Sequence, residues 1–177
     1  MPILNPSTQL LDSGVWIALA FATHPAHLSV RGLFEAADSL KPIAFCRATQ
    51  TSVLRLLTTS AIQAAYGSSP ISNREAWSKT QEILSLPQVV WLAEPPGLES
   101  AWKNFAASEA ASPKLWMDAY LTAFAYSAGI ELVTLDRGFL RYSAYSDANR
   151  TPIRFEVGQR SDSKRTVFRL KSDSRPG

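Results

Sequence analysis

SPKLWMDAYLTAFAYSAGIELVTLDRGF, residues 112–139, reads as a helix, a glycine stop, a buried strand and an aspartate at the strand's end. Ser112 suits an N-cap, Pro113 the first helical position and Gly129 the stop. Between Lys114 and Glu131 the only charged residue is Asp118. Nearly every other position there is apolar or small, so the helix is expected to be buried almost all round. A lone carboxylate on such a helix is costly unless it is paired. The partner could be a distant Arg, a backbone donor or a metal ion.

Working outward, TQLLDSG places a short strand before Asp12, which is the only charge at neutral pH up to residue 30. VWIALAFA then starts a helix that Asp12 or Ser13 could cap. The segment AHLSVRGLFEAADSL has helical spacing, with Leu28, Leu33 or Phe34, and Ala37 on one face. IAFC is a second strand, RATQTSVLRLLTTSAIQAA a third helix, and YGSSP a loop. Ser72 or Asn73 caps the helix NREAWSKTQEILSL, and VVWLAE is a third strand. After a PPG turn, LESAWKNFAASEA is amphipathic. PIRFEV is a last strand, and TVFRL is a strand-like piece in the tail. Short apolar strands separated by helices predict an α/β fold with a parallel sheet. Ligands of such sheets bind beyond the carboxyl ends of the strands, where Asp12 and Asp136 fall.

At 177 residues the chain fits one domain, with a net charge of +3 that hides an asymmetry. Residues 1–136 hold 8 Lys/Arg against 11 Asp/Glu, whereas residues 137–177 hold 10 against 4. A basic end can be a footprint for nucleic acid, or merely a solvated tail. The single cysteine, Cys46, excludes an internal disulfide and fits a reducing compartment. VWIALAFA is too short to span a bilayer. The protein is therefore expected to be soluble and cytoplasmic, with no membrane partner.

Asp12, Asp118 and Asp136 each stand beside a mostly apolar run. Carboxylate oxygens are the hard ligands that Mg²⁺ and Mn²⁺ prefer, and a divalent cation offsets the repulsion among gathered acids. Alternatives stay open residue by residue: Asp12 as a helix cap, Asp136 as the start of a DRGF turn, Asp118 in a buried pair. His24 and His27 lack a zinc-ligand pattern, and no Gly-rich phosphate loop is present. Trp77, Trp91 and Trp102 occupy apolar positions expected to be core. A phosphoryl-transfer receiver is disfavoured, because Asp12 has no second acid two residues on.

LLDSGVWIAL, CRATQTSVLRLLT, EPPGLESAW, SPKLWMDAYLTAFA and LVTLDRGF together resemble PIN-domain ribonuclease toxins of the VapC type. The resemblance covers residues 9 to about 140 and implies a three-layer α/β/α fold with a mainly parallel sheet; the domain is expected to fill residues 1–157, followed by a basic tail, 158–177. The resemblance also implies Mg²⁺- or Mn²⁺-dependent endonucleolytic cleavage of RNA, a cognate antitoxin and a homodimer. The family's acids carry over to Asp12, Asp118 and Asp136 as catalytic metal ligands, with Thr134 and Ser13 as auxiliaries. The family's second acid has no carboxylate counterpart here. Its place falls at Ser52, with Gln50 nearby, and Gln50 is a candidate substitute through its amide oxygen; Glu35, Glu94 and Glu99 are others. Arg47, Arg55, Arg137 and Arg141 are candidate contacts to RNA phosphate. The missing acid also motivates a second reading, a degenerate PIN domain that binds RNA or a partner protein without cutting.

Overall fold

A computed structural model of the chain describes residues 5–145 and 153–155. Five strands form one sheet: β1 (Gln9–Leu11), β2 (Ile43–Phe45), β3 (Val89–Trp91), β4 (Glu131–Thr134) and β5 (Ile153–Phe155). Their order is β3-β2-β1-β4-β5, and every pairing is parallel. The chain runs outward from β1 to β3, then returns to place β4 on β1's other side. The topological switch thus lies between β1 and β4, where crossovers leave in opposite directions and open a crevice.

Seven α-helices cover the sheet: α1 (Ser13–Ala20), α2 (His27–Glu35), α3 (Arg47–Leu57), α4 (Ser60–Ala65), α5 (Asn73–Leu84), α6 (Leu98–Ala106) and α7 (Leu115–Ala128). Strand side chains alternate between the two faces. Leu10, Ala44 and Leu132 pack with α6 and α7, whereas Leu11, Ile43, Phe45 and Val133 pack with α1, α2, α3 and α5. A parallel sheet covered on both faces needs strands that are apolar throughout, which is why IAF and LVT carry no charge. The three-layer architecture expected from the sequence is the one observed.

The long helix ends as the sequence predicts. Gly129 adopts φ 66°, its N–H bonds the Tyr126 carbonyl at 3.2 Å, and the Ile130 N–H bonds the Ala125 carbonyl at 3.1 Å. This paired closure turns the chain directly into β4. The start of the helix differs. The first helical residue is Leu115; Ser112 contributes its carbonyl to the Leu115 N–H, and Pro113 sits in the preceding turn. Asp118 therefore lies in the first turn, not mid-helix. Trp116 and Met117 beside it are 59% and 42% exposed, so only the stretch from Ala119 to Ala125 is buried all round.

Other expectations are corrected. The third predicted helix is two helices. The hydroxyls of Thr58 and Thr59 bond back to the carbonyls of Leu54 and Arg55, and Thr59 turns extended to start α4. Such local bonds compete with helix continuation. Leu33 is buried as expected, but Leu28 is exposed and Val30 takes its place on the buried face of α2. Trp77 and Trp91 are 45% and 40% exposed, so neither is core. The DRGF turn opens a 3₁₀ helix, Arg137–Tyr145. Ser72 caps α5 as expected, in a reciprocal box with Glu75. The tail strand TVFRL and residues 158–177 lie outside the described residues.

Candidate metal centre at the switch point

Asp12 directly follows β1 and ends its strand through an N–H bond to the Val133 carbonyl of β4 at 2.9 Å. Its carboxylate is nine-tenths buried and does not cap α1 by a side-chain bond. Instead Oδ2 accepts the Thr134 hydroxyl at 3.0 Å and Oδ1 the Ser13 hydroxyl at 3.2 Å. Burial pushes the Asp12 carboxyl above the ordinary carboxylate range, and those two hydroxyls oppose the rise.

Thr134 also accepts the Asp136 N–H at 3.0 Å. One hydroxyl thus links the acids that follow β1 and β4. Asp136 is exposed and its Oδ1 accepts the Gly138 N–H at 2.7 Å. Asp118 reaches the same place from α7. A Cβ built on Gly138 would lie 3.1 Å from Asp136 Oδ1 and 3.5 Å from Asp118 Oδ2, so the two carboxylates flank one point that the glycine leaves open.

The electrostatics match this placement. The Asp118 carboxyl is pushed up to about 6, first by burial, then by the charges of Asp136 and Asp12; Arg141 pulls it the other way. Like charges gathered about one carboxyl accommodate a cation. Among the described residues no three His, Cys, Asp or Glu side chains are gathered closely enough to hold a metal ion between them. An open set suits Mg²⁺, which keeps several waters and takes one or two carboxylates. The donor set, all carboxylate and hydroxyl oxygen, fits a hard divalent cation.

The other sequence candidates divide. Ser13, Thr134 and Arg141 join the acids, and Arg137 opens the 3₁₀ helix just after Asp136. Gln50 is buried, but its Oε1 accepts Arg47 Nη1 at 2.6 Å, which commits the oxygen proposed as a ligand. Ser52 is buried on α3 and is absent from the groups that shift Asp12 or Asp118. Arg55 lies eight residues beyond Arg47 on α3, about 12 Å along the helix. Glu35 pairs with Arg31, and Glu94 accepts the Tyr120 hydroxyl at 2.8 Å. Two residues escaped the sequence reading. Gly138 looked only like a turn residue. Tyr142 is buried, its hydroxyl has no hydrogen-bond partner among the described residues, and burial and the Asp118 charge push it up to about 12. No periodicity marks either, since both belong to the 3₁₀ segment.

A parallel α/β sheet with carboxylates at the carboxyl ends of its strands belongs to a class whose ligands bind at the switch point. Within that class the chain belongs to the PIN-domain family, whose model matches residues 10–145. It is 46% identical over 134 residues to "Ribonuclease VapC41" of Mycobacterium tuberculosis, covering 75% of this chain and 92% of that protein. The protein of the same name from a second strain matches equally. Among solved structures, that of VapBC-1 from nontypeable Haemophilus influenzae aligns with a TM-score of 0.54 at 12% identity, over 78% of this chain and 93% of that chain, a likeness of fold. PIN-domain ribonucleases generally depend on a divalent metal. Among the described residues no helix is long and apolar enough to cross a membrane.

Proposed function

We propose that the protein is a toxin-type endoribonuclease that uses Mg²⁺ or Mn²⁺ and is held in check by a cognate antitoxin. The observation that carries the reading is the meeting of Asp118 with Asp136 and Asp12, whose charges add to burial in lifting the Asp118 carboxyl to about 6. Family membership and the resemblance to "Ribonuclease VapC41" support the substrate class.

In this reading Asp12, Asp118 and Asp136 hold the ion. The bound cation supplies Lewis acidity and lowers the pKa of water. The chain's own part is orientation and charge. Thr134 and Ser13 fix the Asp12 oxygens, the Gly138 amide fixes Asp136 Oδ1, and Arg141 lies close enough to act on Asp118. Burial of Asp12 keeps bulk water from screening it, which strengthens its hold on a cation. In this reading Arg137 and Arg141, on the 3₁₀ helix that follows Asp136, meet RNA phosphates. Purified protein with Mg²⁺ or Mn²⁺ should cleave RNA, and Asp118→Asn should abolish cleavage while the fold is kept. Equal activity of mutant and parent would sink the assignment.

Further parts of the reading are a homodimer and a cytoplasmic location, alongside RNA and antitoxin; sedimentation of the purified chain tests the dimer. The commitment of Gln50's oxygen to Arg47 favours one competitor, a PIN domain that binds without cutting. Mn²⁺ calorimetry separates the two, because a site short of ligands would bind the ion weakly.

A further inference from the structure

The carboxyl rim of the sheet carries a second constellation, on β2 and β3. Arg47 is the first residue of α3, immediately after the end of β2, and its side chain is exposed. Its guanidinium carbon lies 4.6 Å from the centroid of the Trp91 ring, and its Nη1 donates to Gln50 Oε1. Gln50 is only 5% exposed, so the acceptor is anchored in the helix. Two contacts therefore fix the guanidinium plane, yet no carboxylate pairs with it: the ion pair among the described residues is Arg31 with Glu35. A guanidinium needs orientation to bind an oxyanion with two parallel N–H bonds, and that orientation is already present.

The constellation shares the carboxyl rim of the sheet with Asp12. Leu10 is level with Ala44 and Phe45 with Trp91, so continuing the register puts Cys46 level with Asp12. Arg47 is the next residue, and neighbouring strands are about 4.8 Å apart. Trp91 ends β3 with two-fifths of its surface open. A cation and a partly open indole thus share the carboxyl rim with Asp12, one of the acids that would engage a phosphodiester through a metal ion. Acids and cation cannot serve the same phosphate equally well, but they can serve successive nucleotides of one strand.

Resting on the ribonuclease reading above, we propose that Arg47, Trp91 and Gln50 form a subsite for a nucleotide flanking the scissile bond of single-stranded RNA. Arg47 takes its phosphate, Trp91 stacks its base, and Gln50 holds Arg47 in place. Stacking of this kind tolerates any base, so the subsite supplies grip and direction more than sequence choice.

The test uses the full chain in EDTA and a labelled mixed-sequence single-stranded RNA of about 20 nucleotides, a span that covers one binding groove. Mn²⁺ binding is measured separately without RNA. Arg47→Ala should weaken RNA binding and lower the salt slope by about one. Trp91→Leu should weaken it roughly 5- to 150-fold, the range of base stacking on an aromatic ring. Arg47→Lys should restore the salt slope but only part of the affinity, and Mn²⁺ binding should be unchanged in all three. Parent-like RNA affinity in both Arg47→Ala and Trp91→Leu overturns the subsite. So does a loss that comes with lowered melting temperature and weakened Mn²⁺ binding, which would make the pair a structural brace. A parent chain that neither binds nor cleaves RNA removes the ribonuclease reading itself, a different result.

Discussion

The Thr134 hydroxyl donates to Asp12 Oδ2 at 3.0 Å across 122 positions of sequence, and Thr134 Oγ1 in turn accepts the Asp136 N–H. Because β1 and β4 are parallel neighbours, their ends bring the two acids to one rim, and Thr134 sets their relation.

Thr134→Val keeps the shape and removes this link. Groups that orient metal ligands contribute about 10- to 100-fold to affinity or activity. Mn²⁺ calorimetry on the variant should show a loss in that range, with the melting temperature of the metal-free chain nearly unchanged. An unaltered isotherm would contradict the role given to the hydroxyl.

The raised Asp118 carboxyl has a consequence for stability. An acid whose folded pKa exceeds its unfolded value favours the fold while protonated. That contribution is complete below 3.8 and is lost as pH rises through about 6. Metal-free protein should therefore melt at a lower temperature above pH 6 than below 3.8 through this group. Asp118→Asn should flatten that part of the profile and raise the melting temperature at neutral pH while cleavage is lost. Added Mn²⁺ should stabilise the parent and much less the variant. Superimposable melting profiles for the two proteins would refute the coupling.

Gly138 is open because a methyl group there would press on Asp136 Oδ1 at 3.1 Å. Gly138→Ala should displace that carboxylate and cut cleavage by about ten-fold or more, the cost expected when a ligand's supporting geometry is lost. Near-UV circular dichroism should remain that of the parent. Full activity in the variant would mean that Asp136 is free to swing away without cost.

Ser72→Ala is the contrasting case. The Ser72–Glu75 box closes α5, away from the acids, and removing such a cap costs about 1 kcal/mol. Denaturant unfolding should move by that amount while RNA cleavage at a temperature well below melting is unchanged.

The sequence by itself determined the class of fold and marked three isolated acids as candidates for its site. Uniformly apolar strands with helices between them could only be covered on both faces, and an isolated carboxylate beside apolar runs is legible because burial makes it costly. Asp12, Asp118 and Asp136 stood out for that reason before any packing was known. Tertiary structure decided what periodicity does not encode. The first turn of α7 begins at Leu115, because Ser112 and Pro113 form the turn before it. Trp91 is open instead of core because β3 is the outer strand on its side of the sheet. Gln50's oxygen went to Arg47, and Gly138 became the gap between two acids. Strand order fixes which loops meet, and partners more than a hundred residues apart become neighbours only when β4 settles beside β1.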